Sequence, residues 1–171
     1  MRCRGRSLLR VEALLVGVVF FLSVGAATAG ITVGGKPVKG AERLKAKLNA
    51  AEVVPGPGNP DLSAKADLVV NPRKQQICFD ITIENVVPGA KDDDPVVGIH
   101  IHPGLAGTVC EPAQDCVFGI DLDFPNEGLQ SCVRAGTQLL NSIVQQPGEF
   151  YLIIHTATFP AGALRGQLEK D

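Results

Sequence analysis

The sequence predicts an all-β protein, an antiparallel sandwich or barrel of about seven to eight short strands. Three observations carry this expectation. Apolar residues alternate with polar ones in short runs, the period of a half-buried strand. Clusters of Gly, Pro, Asn and Asp separate the runs about every dozen residues. No strand–helix–strand alternation and no Gly-rich phosphate loop appears, so nucleotide-dependent chemistry has no support.

Residues 1–29 stand apart from this pattern. Arg2, Arg4, Arg6 and Arg10 form a positive start, and Ala13 to Ala27 is an almost unbroken apolar run. Ala27-Thr28-Ala29 then supplies the small residues of a signal-peptidase site, so the segment is expected to be a signal peptide that leaves Gly30 as the mature N-terminus. The run is short for a bilayer core, so no membrane association is expected after cleavage. Residues 30–42 follow as a flexible lead-in rich in Gly and Lys, and residues 43–171 make up the folded domain.

Each run in that domain then reads as an element. Leu44, Ala46 and Leu48 alternate with Lys45, Lys47 and Asn49, and Pro55 to Pro60 is a loop because its three prolines prevent regular pairing. Ala64, Ala66, Leu68 and Val70 form the inner phase of a second strand that Asn71-Pro72 ends. Ile77, Phe79, Ile81 and Ile83 form the next, with Cys78 on the polar phase. Asp92-Asp93-Asp94 reads as a solvated turn, since it lacks the spaced oxygens of a calcium loop. Val97, Ile99 and Ile101 share one face, opposite His100 and His102. Phe118, Ile120 and Leu122 oppose Asp121 and Asp123; Phe150, Leu152 and Ile154 oppose Tyr151 and His155; Leu164 and Leu168 oppose Arg165 and Gln167. In residues 137–146, Leu139, Leu140, Ile143 and Val144 are spaced for one short helix.

Charge and cysteines bound the setting. The chain carries a formal net charge of −2, of which the leader's four Arg and one Glu contribute +3, so the mature chain stands near −5. That field repels phosphate backbones, and with no Trp and one Tyr there is little to stack on bases, so nucleic acid is not an expected partner. Cys3 leaves with the leader; Cys78, Cys110, Cys116 and Cys132 remain, an even count that reads as two disulfides in an exported chain. Four cysteines allow three pairings. Cys110 and Cys116 flank a short loop and can close it, which leaves Cys78 with Cys132.

Phe150-Tyr151-Leu152-Ile153-Ile154-His155-Thr156 and then Phe159-Pro160-Ala161-Gly162-Ala163-Leu164-Arg165-Gly166-Gln167-Leu168 resemble the closing signature of the CHRD (chordin) domain family. Leu48-Asn49-Ala50-Ala51-Glu52-Val53-Val54-Pro55 resembles its opening element, and Gly98-Ile99-His100-Ile101-His102-Pro103-Gly104 its central one. The resemblance spans residues 44–169. It implies a secreted, immunoglobulin-like β-sandwich or barrel that serves as an extracellular binding or structural module for a protein or matrix partner, without assigned catalysis. Chordin sequesters growth factors, but its cysteine-rich modules do not occur in this sequence, so that activity is not implied.

His100, His102 and His155, the chain's three histidines, all lie within those motifs. Residues two apart on a strand share a face, so His100 and His102 can offer two imidazoles to one point, with His155 as a third. Zinc or copper accepts such a set, which makes a metal-binding protein, redox-active with copper, the alternative reading. The plainer expectation is a polar cluster in which Glu52, Tyr151, Arg165 and Gln167 surround the imidazoles and satisfy their hydrogen bonds. Copper-zinc superoxide dismutases also carry a His-x-His strand on an antiparallel barrel, but three histidines cannot supply their copper set. No serine has a nucleophile-elbow context, so no catalytic residue is assigned.

Overall fold

The computed structural model describes residues 40–85, 94–109, 120–122 and 129–171. They form β1 (Glu42–Asn49), β2 (Leu62–Asn71), β3 (Gln76–Asn85), β4 (Val96–Pro103), β5 (Ile120–Asp121), β6 (Gln130–Arg134), helix α1 (Thr137–Gln145), β7 (Phe150–Thr156), β8 (Leu164–Gln167) and β9 (Glu169–Lys170). The strands join one antiparallel sheet in the order β5-β4-β7-β8-β1-β2-β3-β6, and β9 adds to β1 beyond the end of β8. The sheet curls into a half-barrel, as the all-β antiparallel expectation requires. The leader expected at 1–29, the lead-in at 30–39, the Cys110–Cys116 loop and the start of the Phe118 strand lie outside the described residues.

Period-two sequence becomes a core because the register stacks inward positions in rows. Leu44 faces Leu68 and Leu68 faces Phe79; Ala46 faces Ala66 and Ala66 faces Ile81. On the other half of the sheet, Ile99 faces Ile154, and Ile154 faces Leu164. All of these side chains are buried, and α1 adds Leu140 and Ile143 to the same core. Burial of this size, at roughly 25 cal/mol per Å² of apolar surface, is what holds such a sheet curled. The β2–β3 hairpin turns through Pro72–Gln75, where the Asn71 Oδ1 accepts the Lys74 N–H at 3.1 Å and Gln75 takes a positive φ of 53°.

Two local features correct the pattern read from sequence. The register of β4 against β7 shifts between Val96 and Gly98, a β-bulge. One extra residue reverses the phase, so Val96 packs toward the core and Val97 is exposed, although simple alternation groups Val97 with Ile99. Second, Glu52 does not continue a strand. Ala50–Glu52 is a 3₁₀ turn, and the Asn49 side chain accepts the Glu52 N–H at 3.1 Å.

The close seam between the two halves lies at β8. A Cβ on Gly166 would overlap the carbonyl of Lys47 and press on Leu48 Cα, so only glycine lets β8 approach β1 there. Cys78 and Cys132 are directly opposed on β3 and β6 and joined by a disulfide that spans 54 residues of sequence. Among the described residues no helix is long and apolar enough to cross a membrane.

Candidate functional site

The histidines lie on the sheet face opposite the core, and the β4–β7 register fixes their order. His155 is paired with Gly98, and His102 with Tyr151. Gly98 and His102 are four strand residues apart, about 13 Å at the usual rise. His100 therefore stands between the other two. Its ring centre is 5.0 Å from that of His155 and 5.5 Å from that of His102. The row continues to Tyr151, 5.8 Å beyond His102, and ends at Arg165, whose guanidinium carbon lies 3.7 Å from the Tyr151 ring centre.

This row departs from the three-imidazole metal set that the His-x-His spacing suggested. The three rings lie in file and do not converge, and among the described residues no group of three or more His, Cys, Asp or Glu side chains is arranged to hold a metal ion. The polar cluster also differs from expectation in its partners. Arg165 donates to the backbone of the segment after β4, from Nη1 to the Thr108 carbonyl at 2.6 Å and from Nη2 to the Leu105 carbonyl at 2.8 Å. Gln167 donates to the Gly104 carbonyl at 2.6 Å and to the Gly148 carbonyl at 2.8 Å. Both side chains anchor loops.

The environments of the charged groups follow from this. Arg165 is 1% exposed. Its burial draws the guanidinium below its ordinary pKa, while the Tyr151 hydroxyl and the Glu52 carboxylate favour its charged form. A buried cation of this kind is held by charge-assisted hydrogen bonds and by the face of the aromatic ring. Burial also holds the His155 imidazole below the usual histidine value; the bond to the Pro160 carbonyl opposes this and the neighbouring His100 adds to it. His155 Nδ1 lies 3.0 Å from that carbonyl, which can only accept, so Nδ1 carries the proton. His100 Nε2 lies 4.0 Å from Asp121 Oδ1 on β5.

Sequence reasoning missed the roles of Asp94 and Asp121. Asp94 reads as part of a solvated acidic turn, yet its carboxylate accepts from the Thr156 hydroxyl at 2.7 Å, the Thr158 N–H at 2.8 Å and the Asn59 amide at 3.2 Å. Nothing local distinguishes it from Asp92 and Asp93. Asp121 reads as a carboxylate on a solvated face, and its pairing opposite His100 brings it beside an imidazole.

A small, curled antiparallel sheet that buries an arginine beneath a loop and sets three half-buried imidazoles in a row beside it defines a β-domain whose outer face anchors a loop. The chain belongs to the CHRD domain family, whose model matches residues 44–168. No curated protein and no solved structure matches it.

Proposed function

We propose that this domain is an extracellular binding module whose recognition element is the loop at residues 104–109. The observation that carries the reading is the contrast within that loop. Its backbone is fixed from below by Arg165 and Gln167, while Leu105 is 57% exposed and Val109 39% exposed. Large apolar side chains left in water on a pre-ordered backbone suit a protein or matrix partner, because little ordering entropy remains to be lost on binding. Family membership and the Cys78–Cys132 disulfide support an extracellular setting.

Two measurements test it. N-terminal sequencing of the exported protein is expected to begin at Gly30. Immobilised domain exposed to an extracellular extract is expected to retain a partner that the L105D/V109D double variant does not, with both proteins melting at the same temperature. Retention of the same partner by the double variant overturns the assignment to this loop.

A further inference from the structure

We infer that the cleft at the Asn49 end of β1 is a binding site for a small amphiphilic anion, an apolar body that carries one carboxylate. This goes beyond the loop reading and does not depend on it.

The cleft has a volume of about 710 Å³, within the roughly 300 to 1,000 Å³ of small-molecule pockets. Ala51, Val53, Pro57, Pro60, Leu62 and Phe159 give it apolar walls. One wall is held in place before any ligand arrives. Gly58 sits so close to Ala50 and Val53 that a Cβ would press on both, and the Asn59 N–H donates to the Ala163 carbonyl at 2.8 Å. A pre-ordered apolar cleft loses little entropy on filling.

One end of the cleft is polar. Asn49 and Ser63, directly opposed on β1 and β2, supply the polar side chains of its described lining. Asn49 Oδ1 accepts from the Glu52 N–H, which leaves the Nδ2 hydrogens and the Ser63 hydroxyl available to a ligand. Lys47 and Lys65 form the next outward pair on the same face, two residues along the strands and so about 7 Å away. Like charges directly opposed on a ladder cost stability. Lys65 is bonded to Glu84 at 3.3 Å, whereas Lys47 is exposed and has no ion pair among the described residues. Two carboxylates flank the lining in sequence. Glu52 supports the Arg165 cation, and Asp61 lies in the turn before β2, outside the ladder. A ligand carboxylate at this end accepts hydrogen bonds from Asn49 and Ser63 and places its charge beside Lys47, while its apolar body fills the cleft.

The test is calorimetric titration of the purified mature protein with sodium decanoate and with decylammonium chloride at pH 7.5, with the amide resonances followed in parallel. One decanoate per chain is expected, bound tighter than millimolar, with the amide resonances of Ala51, Val53 and Leu62 moving. Decylammonium has the same apolar body but meets Lys47 as a like charge, and is expected to bind at least about tenfold more weakly. Ala51→Trp, at an exposed position on the 3₁₀ turn, fills the cleft and is expected to abolish binding with the melting temperature unchanged. Lys47→Gln is expected to weaken decanoate binding by about threefold to fivefold. Lys45→Gln, on the same strand face but paired with Asp171 at 3.6 Å, changes it by less than about twofold. Affinity no tighter than millimolar overturns the site. So does equal affinity for decylammonium, unchanged binding in Ala51→Trp, or an equal loss in Lys47→Gln and Lys45→Gln.

Discussion

The guanidinium of Arg165 stacks on the ring of Tyr151 at 3.7 Å, and Tyr151 itself is 5% exposed. Two strands thereby deliver a cation and its aromatic platform to the underside of one loop. Arg165 ↔ Ile153 and Tyr151 ↔ Gln167 are register pairs on β8 and β7, so the contact runs diagonally across the ladder. Gly104 closes over the same ring: its φ is +150°, and a Cβ there would press on Tyr151 Cε1. The residues of the closing Leu-Arg-Gly-Gln-Leu segment thus serve two purposes. Leu164 and Leu168 fill the core, and Arg165 and Gln167 fix the loop.

Replacement of Arg165 by lysine tests the geometry as distinct from the charge. An ammonium keeps the cation but cannot reach the Leu105 and Thr108 carbonyls with one planar fork while stacking on Tyr151. Arg165→Lys is expected to lower stability by about 2 to 4 kcal/mol in urea unfolding. It should also speed hydrogen exchange at the Thr108 amide, which donates to Leu105 O at 3.1 Å. Unchanged exchange there means that the loop is held by other contacts.

Gly166→Ala is expected to be the most damaging single methyl addition on β8. The obstruction it meets is the Lys47 carbonyl and the Leu48 Cα, which are backbone on a central strand and cannot rotate aside. A loss of about 3 kcal/mol or more follows from overpacking against a rigid neighbour. Thermal unfolding of the variant checks this, and a loss within error of zero means that β8 and β1 can separate without cost.

Removing the disulfide tests the link between β3 and β6. Its sulfurs join residues 54 apart in sequence, and neither cysteine is in the buried core, so Cys78→Ser/Cys132→Ser leaves the packing intact. The chain-entropy estimate for a loop of that length is about 4 kcal/mol. Urea unfolding of the double variant should show most of that loss, with β6 the first strand to lose amide protection because it pairs only with β3 among the described residues.

These arguments rest on residues that differ in how plainly the sequence announced them. The β3 strand was legible because Ile77, Phe79 and Ile81 are all buried and their neighbours are not, so periodicity alone fixes the face. The helix was legible for the same reason, with Leu140 and Ile143 on its inner side. β6 was not, because Gln130–Arg134 sits at the end of the sheet path, and no residue of it is deeply buried. The histidine row was half legible. Strand period placed His100 and His102 on one face, but His155 is set opposite Gly98 by a tertiary register that a bulge has shifted. Arg165 reads as a member of a polar cluster on the face opposite the core leucines, but its partners, the Leu105 and Thr108 carbonyls, come from the chain at 104–108 folding over that face, which no local pattern announces.

Acid should expose the role of Asp94. Burial is the largest single influence and raises its carboxyl, but the hydrogen bonds from the Thr156 hydroxyl, the Thr158 N–H and hydroxyl and the Asn59 amide together outweigh it and hold the group below its ordinary value. A group with a depressed folded value releases its proton more readily folded than unfolded. Its stabilisation is therefore complete above the unfolded carboxylate value, about 4, and is lost as the pH falls through the lower folded value. The bonds tie the approach to β4 to the turn after β7 and to the loop before β2. Asp94→Asn, which retains one acceptor oxygen, is expected to cost about 1 to 2 kcal/mol at pH 7. Urea midpoints measured from pH 7 to pH 3 should converge for the two proteins at the acid end. If the gap between them stays constant across that range, the carboxylate's charge contributes nothing and Asp94 acts through shape alone.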